Sequence, residues 1–382
     1  MKRLLTFIVA LLFATPLFAQ NNLPQSIDIY AWESGVATAG HVQGIAVDTK
    51  QEYIYVSFTT LLVKCDMQGR VVGSVTGILG HLGCLEFNDE DGRLYGSLEY
   101  KNDAIGRGIM KQEGSTKQLK TGFYVAIFDV DKITRKGMSA ERDGVMTTVL
   151  LKTVVNDYLA EIKCKSGGVL KHRHGCSGFD GISFGPAFDG SGKRLLTIAY
   201  GIYGDKKRSD NDYQVLLQYD TRNWAKYETP LLQENQHSNG PAKPYGKYFV
   251  YTGNTTYGVQ NLEYDQANKL WFLACYLGKK EQFSNFSLYA IEGSARAATQ
   301  RLQGVEYQKR GEVVSLCQRG LTDKHNNAIR GWKDCICYYG LCALGNNYFY
   351  IATHKKAPQG KAAHIRLAHF VGSDTESFRD IK

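Results

Sequence analysis

Five stretches of this 382-residue chain repeat one grammar: a short apolar strand, a polar turn, and a longer strand of aromatic or aliphatic residues. They are "GIAVDTKQEYIYVSF" from Gly44, "CLEFNDEDGRLYGSLEY" from Cys84, "GISFGPAFDGSGKRLLTIAYG" from Gly181, "NLEYDQANKLWFLACY" from Asn261 and "CALGNNYFYIATH" from Cys342. A 3.6-residue apolar period is nearly absent, so the chain reads as all-β. The repeat constrains the fold more than any single motif does. One unit cannot cover its own apolar surface and must stack on the next.

Third strands follow in four units, at 123–131, 213–220, 287–292 and 364–370, and fourth strands are read at "VMTTVLLK", "KYETPLL" and "EVVSLC". Four-stranded antiparallel units in tandem describe the blades of a β-propeller. The last unit lacks a fourth strand, while "SIDIYAW" at 26–32 stands alone near the start; pairing the two would close the ring and hide both edges. The expected fold is an all-β, five-bladed β-propeller closed by an N-terminal strand. Six or seven blades stay open, because "KYFVYTG" at 247–253 could begin a further unit. The stretch 101–121 is expected to be a long loop of the second blade.

The start of the chain carries Lys2 and Arg3, an apolar run over 4–13, Pro16 and then Ala19. That is the pattern of a cleaved signal peptide over 1–19. It predicts a secreted or periplasmic protein in which 20–382 form a single β-propeller domain, with no membrane span and no lipid-anchoring cysteine. A formal net charge of +9 favours an anionic small molecule or a glycan as partner. No block of five or six like charges is present, which argues against nucleic acid.

Nine cysteines in an oxidising compartment suggest disulfides. The expected pairs are Cys164 with Cys176 and Cys317 with Cys335, each closing a polar loop for ~3 kcal/mol. The apolar surroundings of Cys84, Cys275 and Cys342 suggest buried thiols. A zinc site at Cys164, His172, His174 and Cys176 is a competing reading, but the paired C-x2-C spacing of such sites is missing.

The phrase "HVQGIAVDTKQEYIYVSF" from His41 resembles the NHL-type propeller repeat. The phrases "CLEFND", "GISFGP" and "NLEYDQ" look like the first strands of the five-bladed calcium-activated nucleotidases (apyrases), which point oxygen ligands at one central calcium. Aligning the first strands places Ala46, Glu86, Ser183, Glu263 and Ala343 at one position of the repeat. The resemblance implies calcium held by Glu86, Ser183 and Glu263, since carboxylate and hydroxyl oxygens suit a hard cation. Ala46 and Ala343 depart from that pattern. The alternative is that each glutamate is satisfied by a neighbouring blade.

Basic residues open the loop after the second strand in four units: Lys101; Lys206, Lys207 and Arg208; Lys279 and Lys280; Lys355 and Lys356. Those loops share one face of a propeller and would form a positive ring that concentrates an anion. His41, His81 and His174 sit just before first strands and are candidate catalytic acid–base groups or ligands on the same face. Motifs of serine hydrolases, P-loop enzymes and zincins are absent. Three readings follow: a metal-assisted hydrolase of phosphorylated or otherwise anionic small molecules, a lyase or glycosidase of anionic polysaccharide, and a non-catalytic binding or scaffold propeller.

Overall fold

The computed structural model describes residues 23–36, 39–164, 167–253 and 255–381, so the leader read over 1–19 lies outside the described residues. Each repeated phrase forms the two inner strands of one antiparallel sheet. The five innermost strands are Val42–Val47, His81–Asn88, Cys176–Pro186, Thr256–Asp265 and Leu341–Gly345. Each packs against the innermost strand of the next blade, and the fifth packs against the first. The result is a five-bladed β-propeller.

Its core is not one cluster but five, filling the wedges between successive blades. Blade 2 faces blade 3 through Phe123, Phe179 and Ile182, and blade 4 faces blade 5 through Phe272, Leu341 and Phe349. A blade buried on both faces needs apolar residues at both parities of its strands. That is why Gly122–Phe128, "GFYVAIF", is buried throughout and shows no alternation.

Closure is as the lone N-terminal strand suggested: Ser26–Tyr30 pairs antiparallel with Gly360–Phe370 as the outermost strand of blade 5 and covers the edge that Gly360–Phe370 would otherwise expose. Fourth strands came out less regularly. Met146–Leu150 is the outer strand of blade 2. In blade 3 that role falls to Gly246–Tyr251, which pairs with Tyr213–Tyr219 rather than opening another blade. The run 226–232 instead lies against the edge of blade 2 through a Thr148–Thr229 bridge. Arg310–Val313 adds to blade 3 in parallel, leaving blade 4 with the three strands Thr256–Asp265, Leu270–Tyr276 and Leu288–Glu292. The stretch 101–121 is not all loop: it holds helix α1 (Ala104–Gln112), whose first turn is capped by Asp103 accepting from Gly106 N. A second helix, α2 (Lys152–Leu159), packs on blade 3.

The expected disulfides are corrected, because all nine cysteines are free thiols. Cys176 opens the innermost strand of blade 3 with its sulfur toward Gly178 O. Cys164 is carried off by the hairpin Glu161–Lys163 and Val169–Lys171. Cys317 is fixed by its N–H to Ala290 O, while Cys335 has the Cys337 thiol as its sulfur neighbour.

Ile29, fully buried in the closing strand, tests the closure. Ile29→Ala is expected to lower unfolding free energy by about 2–5 kcal/mol in urea titration, from lost burial plus a residual cavity.

Candidate functional site

An innermost strand pairs on one side only, so its other edge offers unpaired N–H and C=O groups toward the axis. Side chains of neighbouring blades satisfy them, in two layers. In the lower layer Glu86 of blade 2 accepts from Phe184 N at 3.1 Å and from Ser183 Oγ at 3.3 Å. Ser183 of blade 3 accepts from Tyr264 N at 3.1 Å, and Glu263 of blade 4 accepts from Ala343 N at 2.7 Å. The Cys342 sulfur of blade 5 receives Val47 N–H of blade 1. This handover corrects the repeat alignment by one residue in blade 5: Cys342, not Ala343, is equivalent to Glu86, Ser183 and Glu263. It also shows what the two glutamates do, which is to join blades. Burial pushes Glu86 up to about 7. Burial, with Glu86 beside it, holds Glu263 well above the carboxylate range.

Glu86 and Glu263 line a cavity of about 420 Å³ at one end of the axis. His41 and His81 line another, of about 300 Å³, at the opposite end. From His81 to Glu86 the strand advances five residues, about 16 Å at roughly 3.3 Å each. Between the two levels Cys84 closes the channel, its sulfur 3.5 Å from Ile182 O and 3.9 Å from Leu262 O. The sequence-predicted metal and histidine sets therefore sit at different mouths.

The histidine mouth is the richer site, and a backbone irregularity builds it. Four innermost strands carry a β-bulge at the same height: between Val42 and Gly44, Leu82 and Leu85, Phe179 and Ile182, and Val259 and Asn261. A bulge adds one residue and re-aims a side chain. The residues that fall within the bulges include Gln43, Asp180 and Gln260, and all three line the cavity. Strict alternation from the lower ring would have pointed them away. Ordinary strand reading misses them, although each lies three residues before Ala46, Ser183 and Glu263, at one place in the repeat.

Against this floor stand His81, Glu99 and Lys101 of blade 2. Glu99 Oε1 accepts from Phe179 N at 2.6 Å, joining blade 2 to blade 3 at the upper layer. Gly178 makes room for this contact: at φ +118° a Cβ there would fall 1.8 Å from Glu99 Oε1. The other oxygen, Oε2, lies 2.7 Å from Lys101 Nζ, and that ammonium also donates to Ser177 O at 2.8 Å. His81 Nδ1 lies 3.5 Å from Asp180 Oδ1 and 3.9 Å from Glu99 Oε2, and it is buried with no hydrogen-bond partner among the described residues. Asp180 accepts from Gln260 Nε2 at 3.1 Å.

Burial sets the protonation here. It pushes Glu99 up to about 8, against the pull of Lys101, and Asp180 up to about 6. It holds His81 down to about 3, with Lys101 adding to the effect. His41, across the cavity, is held down to about 4 by burial and by the charge of His354. Both imidazoles are thus neutral at physiological pH, and at least one carboxyl retains its proton.

The other predicted residues fare differently. His174 is fully buried beside Phe249, with Tyr307 Oη 3.1 Å from its Nδ1, and it does not line the cavity; blade 3 presents Ser177 and Asp180 instead. Of the basic set only Lys101 enters. Arg208 pairs with Asp210, Lys280 with Asp212, and Lys355 with Asp28, while Lys206, Lys207, Lys279 and Lys356 are exposed.

The sequence matches no protein-family model and no curated protein. Among solved structures, the PQQ domain of pyranose dehydrogenase from Coprinopsis cinerea is 10% identical, with 85% of this chain and 81% of that one covered at a TM-score of 0.35. A calcium structure of the family AA12 carbohydrate-active enzyme of Trichoderma reesei is 9% identical, with 84% and 80% covered at 0.37. The Cps50 (Swd1) β-propeller domain of Myceliophteria thermophila is 9% identical, with 94% and 89% covered at 0.33. Scores this low leave the fold and the chemistry to be argued from the chain itself.

The raised carboxyls have a signature in stability. The unfolded chain releases these protons near 3.8 and 4.5, while the folded cluster keeps them to about 6 for Asp180 and about 8 for Glu99. The folded state therefore holds more protons across that window, and this contribution to stability is lost as pH rises through it. In chelator, the melting temperature is expected to fall between these limits. Glu99→Gln, which keeps the acceptor for Phe179 N, should flatten the decline above about pH 6; an unchanged slope would contradict the assignment.

Proposed function

We propose that this protein is a metal-assisted hydrolase of anionic small molecules, with His81, Glu99 and Asp180 as the ligands of a divalent cation at the axial mouth. The observation that carries this reading is their convergence: one nitrogen and two carboxylate oxygens, all within 4.8 Å of one another. The unpartnered His81 Nδ1 supports it, since a buried lone pair without a donor is costly unless something binds it. An imidazole with two carboxylates suits manganese or zinc better than calcium, which prefers six to eight oxygens. That preference moves the expectation away from calcium and away from the Glu86 mouth.

Charge decides the order of events. Without a metal, one protonated carboxyl and the Lys101 ammonium leave the cluster near neutral, with little pull on an anion; a bound divalent cation would displace that proton and leave +1 overall. The cation would supply Lewis-acid polarisation of the group under attack. Lys101, released from Glu99, is placed to hold the anionic end. Neutral His41 can take a proton from an attacking water. Export to the periplasm or the exterior, read from 1–19, belongs to the same proposal. A lyase or glycosidase of anionic polysaccharide is the second reading. It is favoured by the spread of Asp180 at about 6 and Glu99 at about 8, which straddles neutrality as a base and an acid should.

Titration calorimetry with Mn²⁺, Zn²⁺ and Ca²⁺ tests the choice. About one ion per chain is expected, with His81→Ala and Asp180→Asn weakening it roughly 10-fold or more and Glu86→Gln leaving it unchanged. Hydrolysis of a panel of phosphate and sulfate esters should stop on chelation and return with the metal. Activity on uronate polymers that survives chelation would favour the second reading, and metal bound at Glu86 would overturn the site.

A further inference from the structure

Across the cavity from the charged cluster lies a wall of aromatic rings. Tyr257, Tyr276 and His41 line the cavity, and Tyr338 and Tyr339 bind them into one body. Ring centroids are 5.7 Å apart for Tyr257 and Tyr276, 4.1 Å for Tyr276 and Tyr338, 4.8 Å for Tyr338 and Tyr339, and 5.8 Å for Tyr339 and His41. All five residues keep part of their surface exposed. Tyr338 and Tyr339 pack against the wedges on either side of blade 5 and back the three rings that face the open hole.

Tyr257 is the least expected of them. It is 47% exposed and has φ +65°, a left-handed conformation that a bulky residue adopts only under constraint. The constraint is visible. Gly258 follows at φ +76°, where a Cβ would meet Tyr200 O at 2.4 Å, and Gln260 Nε2 donates to Tyr257 O at 3.0 Å. Strain maintained on an exposed ring, at a cavity, is the kind found at ligand clamps.

We propose that this wall seats the pyranose ring of an anionic saccharide, so that the site acts on a sugar carrying a phosphate, sulfate or carboxylate group. The anionic end rests on the hydrolase reading; the seat for the ring does not. Two features select a sugar. The two tyrosines that line the cavity, Tyr257 and Tyr276, meet at 81°, so they make a corner and no parallel slot. A flat nucleobase stacks best on a parallel face, whereas the C–H edges of a puckered ring can meet two inclined faces. Hydroxyl groups also find partners on the floor. Gln43 and Gln260 donate their amide N–H groups to Thr59 and Asp180, leaving their carbonyl oxygens to accept from a ligand. Closure by Cys84 and a volume of about 300 Å³ limit the occupant to a ring or so at a chain end, at the small end of ligand pockets.

The full-length mature chain, loaded with Mn²⁺, would be titrated calorimetrically with glucose 6-phosphate, galacturonic acid and AMP. The informative variant is Tyr257→Gly, because glycine suits φ +65° and the fold should persist. At least one sugar anion is expected to bind, roughly fivefold more weakly to Tyr257→Gly, with Mn²⁺ affinity and melting temperature unchanged. Sugar affinity indifferent to Tyr257→Gly, or binding of AMP without either sugar, overturns the proposal and leaves the hydrolase reading standing. Sugar binding without any bound Mn²⁺ does the reverse.

Discussion

Everything at the axis follows from the need to satisfy five strand edges that no further strand can pair. Blades packed face to face bury their apolar faces, but the innermost strands converge with N–H and C=O groups aimed inward, and a dry interior cannot leave them alone. The protein meets this with buried polar side chains that reach from one blade to the next. Glu86, Ser183, Glu263 and Cys342 do so at one level and Glu99 at another. Ser57 Oγ, donating to Gly83 O, adds a link between blades 1 and 2. Asn261, donating to Gln43 O and Tyr338 O, ties blades 1, 4 and 5.

These links explain why carboxylates are buried at both ends, and why only one end looks reactive. Among the described residues Glu86 has no basic partner within hydrogen-bond reach, and it ties its own strand to the next through Phe184 N. Glu99 spends one oxygen the same way but keeps the other beside Lys101, near His81 and Asp180. The same structural demand thus leaves a spare oxygen in polar company at one mouth. Bulges supply the rest of that company, because they turn Gln43, Asp180 and Gln260 into the cavity without disturbing the ring below.

Much of the candidate site was written in the repeat. His41 and His81 were found from their place just before first strands, and Lys101 from its place after a second strand. His174 obeyed the same rule and failed, because a hairpin and a tight turn at His172–Cys176 fold it under Tyr307. Arg208 and Lys280 failed for another reason: Arg208 pairs with Asp210 two residues on, and the fold brings Lys280 onto Asp212, 68 residues earlier in the chain. Tyr257 carried no signal at all, since tyrosine at a strand end reads as core in any β protein.

Apolar runs and turns that are local and repeated in the sequence were enough to give the propeller class, the order of the inner strands and the closure of the ring, whereas the count of five was settled by Gly246–Tyr251 pairing into blade 3. Tertiary structure alone decided which polar residues meet. Bulges shift side-chain parity without marking the sequence, and five apolar wedges leave an axis whose two ends are separated by the length of a strand. A histidine and a glutamate five residues apart in "HLGCLE" look like neighbours on paper; an extended backbone at roughly 3.3 Å per residue puts them at opposite mouths.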